Sequence, residues 1–385
     1  MLKIGEQDAV NILRFFDDLP DPRSEVNRLH RLGDVIVIAI CAVIANADGP
    51  TAIAKWARLN DVWLRKHLAL PSGIPGKDTF RRVLGLLDPA AFQECFRRWL
   101  ESLNVSADDE SEDKQHVAID GKALRRSHDK RSGLGAMHIV SAWASNHGIT
   151  LGQVATEEKS NEITAIPQLL DAIDVEDAIV TIDAAGCQKN IAARIVQGKG
   201  DYVLALKANQ GKLFDDVRLR LGCYMKDGFA DCPVSRYVEV EKGHGRLEER
   251  RYYQMTAPSY LHDRSQWKGL KTIGAVVRVY EEDGVQKSDT RYYLSSLRRN
   301  GKRFAHAVRN HWSIENSLHW SLDMTYREDD SRARNRTFTQ NLSWLRRFTL
   351  SLIKQHPGTE SNIMKRRMAG WSVDFLMQIL TGKSS

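Results

Sequence analysis

Three carboxylates stand out: Asp120 closes the apolar run HVAID, Asp183 closes AIVTID, and Glu315 lies within HWSIENSLHW. In-line attack on a phosphodiester, by water or by a 3′-hydroxyl, is well served by two divalent ions about 3.5 to 4 Å apart, one activating the nucleophile and one stabilising the leaving oxygen. Such hard ions need several oxygen ligands held on rigid elements. Asp120 and Asp183 meet that need if they project from neighbouring strand ends in the middle of a sheet. Each alone has a plainer reading, because an Asp at a strand end is commonly a turn or cap residue. Glu315 has Trp312, Ile314, Leu318 and Trp320 around it. Part of that helix is therefore expected to be buried, and a carboxylate there needs a partner such as a metal ion. The same helix carries a rival ligand set, since His311, Glu315 and His319 fall at i, i+4 and i+8 on one face. HxxxExxxH lacks the HExxH spacing of zinc hydrolases, which favours histidines that flank the acidic site and contact phosphate or orient its groups. Glu328-Asp329-Asp330 reads as a solvated helix end.

The elements that must position these residues follow from periodicity. Apolar residues at three- and four-residue spacing in VIVIAICAVIA, TAIAKWARLNDVWLRKHL and AAFQECFRRWLESL predict an all-helical N-terminal domain, residues 1–103. Within it, GIPGKDTFRRVLGLLD resembles the start of a helix-turn-helix recognition helix. Pro-Gly breaks the chain there, Asp78 or Thr79 supplies a cap, and Arg81 and Arg82 fall in the first turns as DNA contacts. Residues 104–115 are polar and acidic and read as a linker. HVAID, MHIVSAWAS and TLGQVATEE then predict three antiparallel strands. They are followed by helix EITAIPQLLDAID, strand AIVTID, helix QKNIAARIVQGK and strand DYVLALK. Three meander strands followed by alternating helices and strands give an α/β fold, a mixed sheet with helices on its faces in RNase H-like order, over residues 116–210. Residues 211–300 read as a β-rich insertion. In residues 301–385 helical periodicity returns, and the segment MKRRMAGW gives a basic tail.

Composition sets outer limits. With 56 Lys and Arg against 49 Asp and Glu over 385 residues, the net charge is +7, a field that favours polyanions. The five cysteines show no ligand spacing and fit a reduced, cytoplasmic chain. The N-terminus lacks the h-region of a signal peptide. The longest apolar stretch, Asp34 to Ala47, is too short to span a bilayer and reads as a buried helix.

AIDGKALRRS, EKSNEITAIPQLL, IDAAGCQKNIA, GDYVLALKANQ, KGHGR, RYYLSSL and HWSIENSLHWSLDMTYREDDSRAR, in that order, resemble the H-repeat-associated transposases of bacterial insertion sequences. These form part of the DDE group, which shares its fold with retroviral integrase. The likeness also takes in FFDDLPDPR and HRLGDVIVIAICAVIANA, and so spans nearly the whole chain. It implies that Asp120, Asp183 and Glu315 form the catalytic triad, holding two Mg2+ (or Mn2+) ions. It further implies that the N-terminal domain helps to recognise terminal inverted repeats, and that the chain acts on DNA as at least a homodimer. Related enzymes that form hairpin ends carry a Tyr-Arg-Glu-Lys signature. Its Tyr, Arg and Lys positions hold Val308, His311 and Leu322 here, with Arg309 as a substitute cation.

The expected reaction is cleavage at an element end followed by 3′-hydroxyl attack on target DNA. Arg125, Arg126, Lys207, Asn209, Lys242, His244 and Arg246 are candidate phosphate contacts, together with Arg309, His311 and His319. Two rivals are a structure-specific nuclease that cleaves without joining and a domesticated DNA-binding copy that does not cut. The presence of all three carboxylates weighs against the second.

Overall fold

The structure, a computed structural model, describes residues 12–103, 114–129, 132–156, 162–230, 232–243, 246–282 and 285–382. Its centre is a mixed nine-stranded sheet with the order β3-β2-β1-β4-β5-β9-β8-β7-β6. The first three strands, β1 (His116–Leu124), β2 (Met137–Ala144) and β3 (Ile149–Thr156), form the expected antiparallel meander. Two further strands, β4 (Ile179–Ile182) and β5 (Asp201–Leu206), join β1 in parallel.

The β-rich segment does not stand apart from this sheet. β6 (Val234–Gly243), β7 (Arg246–Thr256), β8 (Thr272–Glu282) and β9 (Val285–Ser295) pair antiparallel in sequence, and β9 lies against β5. The region read as wholly β-rich opens with a helix, Gly211–Lys226. Leu213, Val217 and Leu221, four residues apart, are its buried face.

The helices divide between the two faces of the sheet. Calling the N-terminal helices α1 (Leu32–Ile44), α2 (Pro50–Leu59), α3 (Asp61–Leu64), α4 (Lys77–Leu86) and α5 (Pro89–Leu103), the next are α6 (Glu162–Ala172), α7 (Lys189–Gln197) and α8 (Gly211–Lys226). The last three close one core over β1, β4 and β5, built from residues such as Ile119, Ile166, Ile182 and Leu204. The opposite face carries α9 (Gly301–Ser313) and α11 (Arg336–Gln355), separated by a π-helical turn (Ile314–His319) and by α10 (Trp320–Met324). After α11 come α12 (Asn362–Trp371) and α13 (Val373–Thr381).

The N-terminal helices do not close on themselves. Ile40, Phe80 and Phe96 share one core with Trp344 and Phe348 of α11, with Leu318 of the π turn and with Trp143 of β2. The Asn341 side chain on α11 donates to the carbonyls of Leu84 and Leu87, each at 2.9 Å, and so satisfies the C-terminal end of α4. As its sequence predicts, α1 is buried almost throughout. The N-cap position of α4 is Gly76; Asp78, expected as a cap, instead pairs within the first turn with Arg81 at 2.8 Å. Arg81 and Arg82 are exposed. Most of the acidic stretch read as a linker lies outside the described residues. No described helix is long and apolar enough to cross a membrane.

The basic C-terminal segment is partly internal. Lys365 donates to the His356 carbonyl at 2.7 Å, and the buried Arg366 donates to the Val43 carbonyl at 2.8 Å and stacks on Tyr326.

The acidic run departs most from expectation. Glu328 is 1% exposed and accepts from Arg347 at 2.9 Å and from Ser343 at 2.9 Å. Both partners of the Glu328–Arg347 pair are out of solvent. Removing one member of such a pair leaves an uncompensated buried charge. Arg347→Met is therefore expected to cost on the order of 3–5 kcal/mol, read as a lower urea midpoint. Adding Glu328→Gln should restore part of the loss, and a single variant that unfolds at the wild-type midpoint would contradict the assignment.

Candidate active site

Strand register brings the two aspartates together. The parallel pairing of β1 with β4 ends at Ile119 opposite Ile182, and Asp120 and Asp183 are the next residues on each strand. Asp120 does not end its strand, as the sequence had implied: β1 continues to Leu124 by pairing with β2, where Asp120 faces Ser141. It sits at the point where the β4 side of the strand becomes open. Asp183 starts a turn, and its Oδ1 accepts from the amides of Ala185 (3.0 Å) and Gly186 (3.2 Å). The turn reading and the site reading thus hold together for this residue. Asn209 supports the same turn by donating to the Ala184 carbonyl at 2.7 Å, so its amide is engaged with protein.

Glu315 comes from the other side of the sheet. Phe304, Ala307 and Val308 of α9 are buried against the sheet. The helix end is fastened by Ser313, which donates to Ser145 at 2.6 Å, and by Ser145, which donates to the Asn310 carbonyl at 3.2 Å. The chain then widens into the π turn. Such turns are rare and occur mostly at functional sites. Ile314 and Leu318 are its buried residues, while Glu315 is exposed and lines a cleft of about 540 Å3 with Asp183, Lys207, Arg291, His311 and Trp312. Trp320, expected among the buried neighbours, is 57% exposed. The wider turn sends Glu315 outward, so the burial argument for it does not hold.

The histidines serve different neighbours. The Nδ1 of His311 lies 3.1 Å from the Thr181 hydroxyl, and burial lowers its pKa against the pull of Asp183. The Nδ1 of His319 lies 3.5 Å from Asp120 Oδ2. Burial, followed by the charges of Arg347 and Lys122, lowers its pKa to about 3. His311 lines the cleft, the His319 side chain is mostly buried, and among the described residues no three His, Cys, Asp or Glu side chains converge as a ligand cluster. The helical i, i+4, i+8 alignment of His311, Glu315 and His319 is broken by the π turn.

The Asp120 carboxyl is pushed up to about 7, chiefly by burial, and further by the charges of Asp183, Glu315 and Glu162; the Gly121 amide opposes the shift. Glu162, at the start of α6, was not foreseen as part of this neighbourhood. A Cβ on Gly121 would stand 2.3 Å from its Oε1, so glycine is what admits this carboxylate against β1. Lys122 was also missed. It is buried and contacts Asp323 (2.7 Å) and Asp329 (3.0 Å), tying β1 to the segment that follows the π turn. The donors of the site are carboxylate oxygens, which suit a hard divalent cation in kind. Their concentrated negative charge is what such an ion would offset.

Other predicted contacts are spread around this centre. Arg125 pairs with Asp329 at 3.2 Å and Arg126 with Asp330 at 3.4 Å, so the chain's own acidic run holds both arginines. Arg309 pairs with Glu241 of β6 at 2.5 Å. Lys207 is exposed on the cleft wall. Arg291, not foreseen, lies over the Trp312 ring at 5.0 Å and is shared with a second cleft of about 320 Å3. Lys242 and Arg246 belong to the facing ends of β6 and β7, and His244 lies outside the described residues.

Comparison with known proteins bears on this arrangement. The family description "Transposase DDE domain" matches residues 111–352, and "DDE_Tnp_1-associated" matches residues 13–100. The chain is 37% identical over 361 residues to "Putative transposase YncI" of Escherichia coli O157:H7, across 93% of this chain and 90% of that protein. It is 36% identical over 370 residues to "H repeat-associated putative transposase YhhI" of Escherichia coli (strain K12), across 94% and 96%. A shorter match, 34% over 65 residues, is to "Inactive transposase YbfQ" of the same strain; it covers 17% of this chain and 77% of that protein. The DDE domain implies the RNase H-like fold, in agreement with the mixed sheet and flanking helices seen here.

Two outcomes follow from the electrostatics and the packing. A carboxyl whose folded pKa is about 7, against about 3.9 unfolded, binds its proton more tightly when folded. Its stabilising effect is full below the unfolded value and is lost as pH rises toward 7. In chelator, Asp120→Asn and wild type should melt together near about pH 4, and the variant should melt higher at about pH 8. A constant difference across that range would refute the assignment. Separately, Gly121→Ala should displace the end of the Glu162 side chain and lower stability by about 1 kcal/mol, the low end of overpacking costs, and Glu162→Ala in the same chain should recover most of it. Additive losses in that thermal double-mutant cycle would show that the two residues do not meet.

Proposed function

We propose that this chain, which belongs to the DDE transposase family, cuts DNA at the terminal inverted repeats of an insertion sequence and joins the freed 3′-hydroxyl to target DNA. The observation that carries this reading is the placement of Asp120 and Asp183 one step beyond the last paired residues of two adjacent parallel strands, with Glu315 lining the same cleft as Asp183. Asp120, Asp183 and Glu315 would hold the divalent ions, two of Mg2+ or Mn2+, which when bound activate the attacking oxygen and stabilise the leaving one.

The remaining residues bind and orient. Lys207 and Arg291 line the cleft beside Asp183, where they would take phosphate oxygens of the strand being cut. Trp312 offers a flat face at the junction of the two clefts, against which a sugar or base would rest. The Asp183 turn, with its amides directed to Oδ1 and Asn209 behind it, fixes that carboxylate before substrate arrives. Arg125 and Arg126, which are solvent-exposed, would exchange their carboxylate partners Asp329 and Asp330 for phosphates. Arg81 and Arg82 are solvent-facing on α4 and would contact the repeat sequence from the N-terminal helices. Two element ends must be brought together for joining, so the acting form is at least a dimer on DNA.

Asp183→Asn is expected to abolish both cleavage and joining, a fall of at least about a thousandfold, while gel-shift binding to the element ends is retained. Normal joining by this variant would eliminate the proposed chemistry. A pre-cut 3′-hydroxyl end with a plasmid target tests the second step alone: cleavage without joining there would leave a nuclease.

A further inference from the structure

We propose that His319 is a positioning residue for Asp120, holding its carboxylate for metal binding through Nδ1 and not contacting DNA. The inference rests on the reading of Asp120 as a metal ligand. Its geometry has three parts. The first is the approach of His319 Nδ1 to Asp120 Oδ2, at 3.5 Å. With a side chain only 13% exposed, the ring is out of reach of a duplex lying on the surface.

The second part is the tautomer. A neutral ring facing the ionised carboxylate that a metal ion requires is attractive through Nδ1 only when that nitrogen carries the proton, which leaves Nε2 as an acceptor. Here Nε2 is buried and has no hydrogen-bond partner among the described residues. Buried Nη2 of Arg347 likewise has no hydrogen-bond partner among the described residues. A proton on Nε2 would be buried without an acceptor, whereas on Nδ1 it faces Asp120, which favours the tautomer that donates to Asp120.

The third part is what holds Arg347. Its Nη1 bonds Glu328 Oε1 at 2.9 Å, and its Nε donates at 3.1 Å to Ser141, the residue opposite Asp120 across β1 and β2. Glu328 and Arg347 are thus paired in the core, Arg347 also reaches the strand residue opposite Asp120, and its charge acts on the ring that meets Asp120. Carboxylates that ligate a metal are themselves held by outer hydrogen-bond partners, and losing such a partner typically costs about 10- to 100-fold in metal affinity.

The test is Mn2+ binding to the full-length protein without DNA, followed by the electron-spin signal of free Mn2+, with gel-shift binding to element ends measured in parallel. His319→Leu is expected to weaken Mn2+ binding at least about tenfold and to leave end binding unchanged. His319→Asn places an amide nitrogen near the Nδ1 position and should bind Mn2+ close to wild type, whereas His319→Gln places it near Nε2 and should not. Because Gln fills the space better, a role in packing alone predicts the opposite order. That order, equal binding by the two, or wild-type affinity in His319→Leu would overturn the proposal, and the Asn–Gln comparison remains decisive should the leucine variant not fold. Asp120→Asn separates the premise from the inference. If that variant binds Mn2+ like wild type, the metal-ligand reading of Asp120 itself fails; if it binds weakly while all His319 variants bind normally, only the positioning role fails.

Discussion

The parallel pairing of β1 with β4 stops at Ile119 and Ile182, and the surroundings of the candidate site are arranged about that stop. Two adjacent strands cannot both present an acidic side chain next to each other in the middle of a ladder without strong like-charge repulsion and loss of solvent. Ending the ladder on one side, while β1 runs on against β2, gives Asp120 a rigid backbone and one open flank. Asp183 gains its rigidity differently, from a turn whose amides meet its carboxylate. The pair is therefore held by two unlike devices at a single level of the sheet.

Holding carboxylates together requires opposite charge nearby, and this chain places it behind the site. Lys122 lies two residues after Asp120 and bridges Asp323 and Asp329. Burial works against the charge of Glu328, but Arg347 and Lys122 overcome it and hold its carboxyl below the usual range. This network joins β1, the segment after the π turn and α11, the helix around which the N-terminal helices also pack. The fold core and the site frame are thus one structure at α11. A change to its buried polar side is expected to reach both.

Much of this was legible in the sequence where one segment decides its own structure. The meander, the two short parallel strands and the buried α1 follow from apolar runs bounded by turn residues. Leu213, Val217 and Leu221 also carried the signal for α8, yet their spacing sat between strand-like segments and was absorbed into them. What local pattern could not supply was the partner. Asp120 looks like a strand end because its apolar run stops there, while its strand continues through pairing with β2. The acidic run looks solvated because nothing near it in sequence is basic and buried; the partner of Glu328 is Arg347, on another helix. The π turn has no compositional signature, so Glu315 was assigned the burial that belongs to Ile314 and Leu318.

The same acidic run divides into two parts by burial, and that division bears on how DNA would meet the site. Glu328 is sealed with Arg347, and breaking that pair would strand a charge in the core. Asp329 and Asp330 hold Arg125 and Arg126 near solvent, where the arginine side chains are 82% and 51% exposed. Exposed pairs of this kind are worth about 0–1 kcal/mol, and a DNA phosphate offers either arginine an equivalent charged acceptor. Exchanging carboxylate for phosphate there costs little, and it would leave Asp329 still bound to Lys122. On the proposed reading, the outer half of the run would yield to a DNA phosphate while the inner half keeps its bond to Arg347. Of the three acidic residues only the first is sealed in the core, which is what would let one run serve both ends.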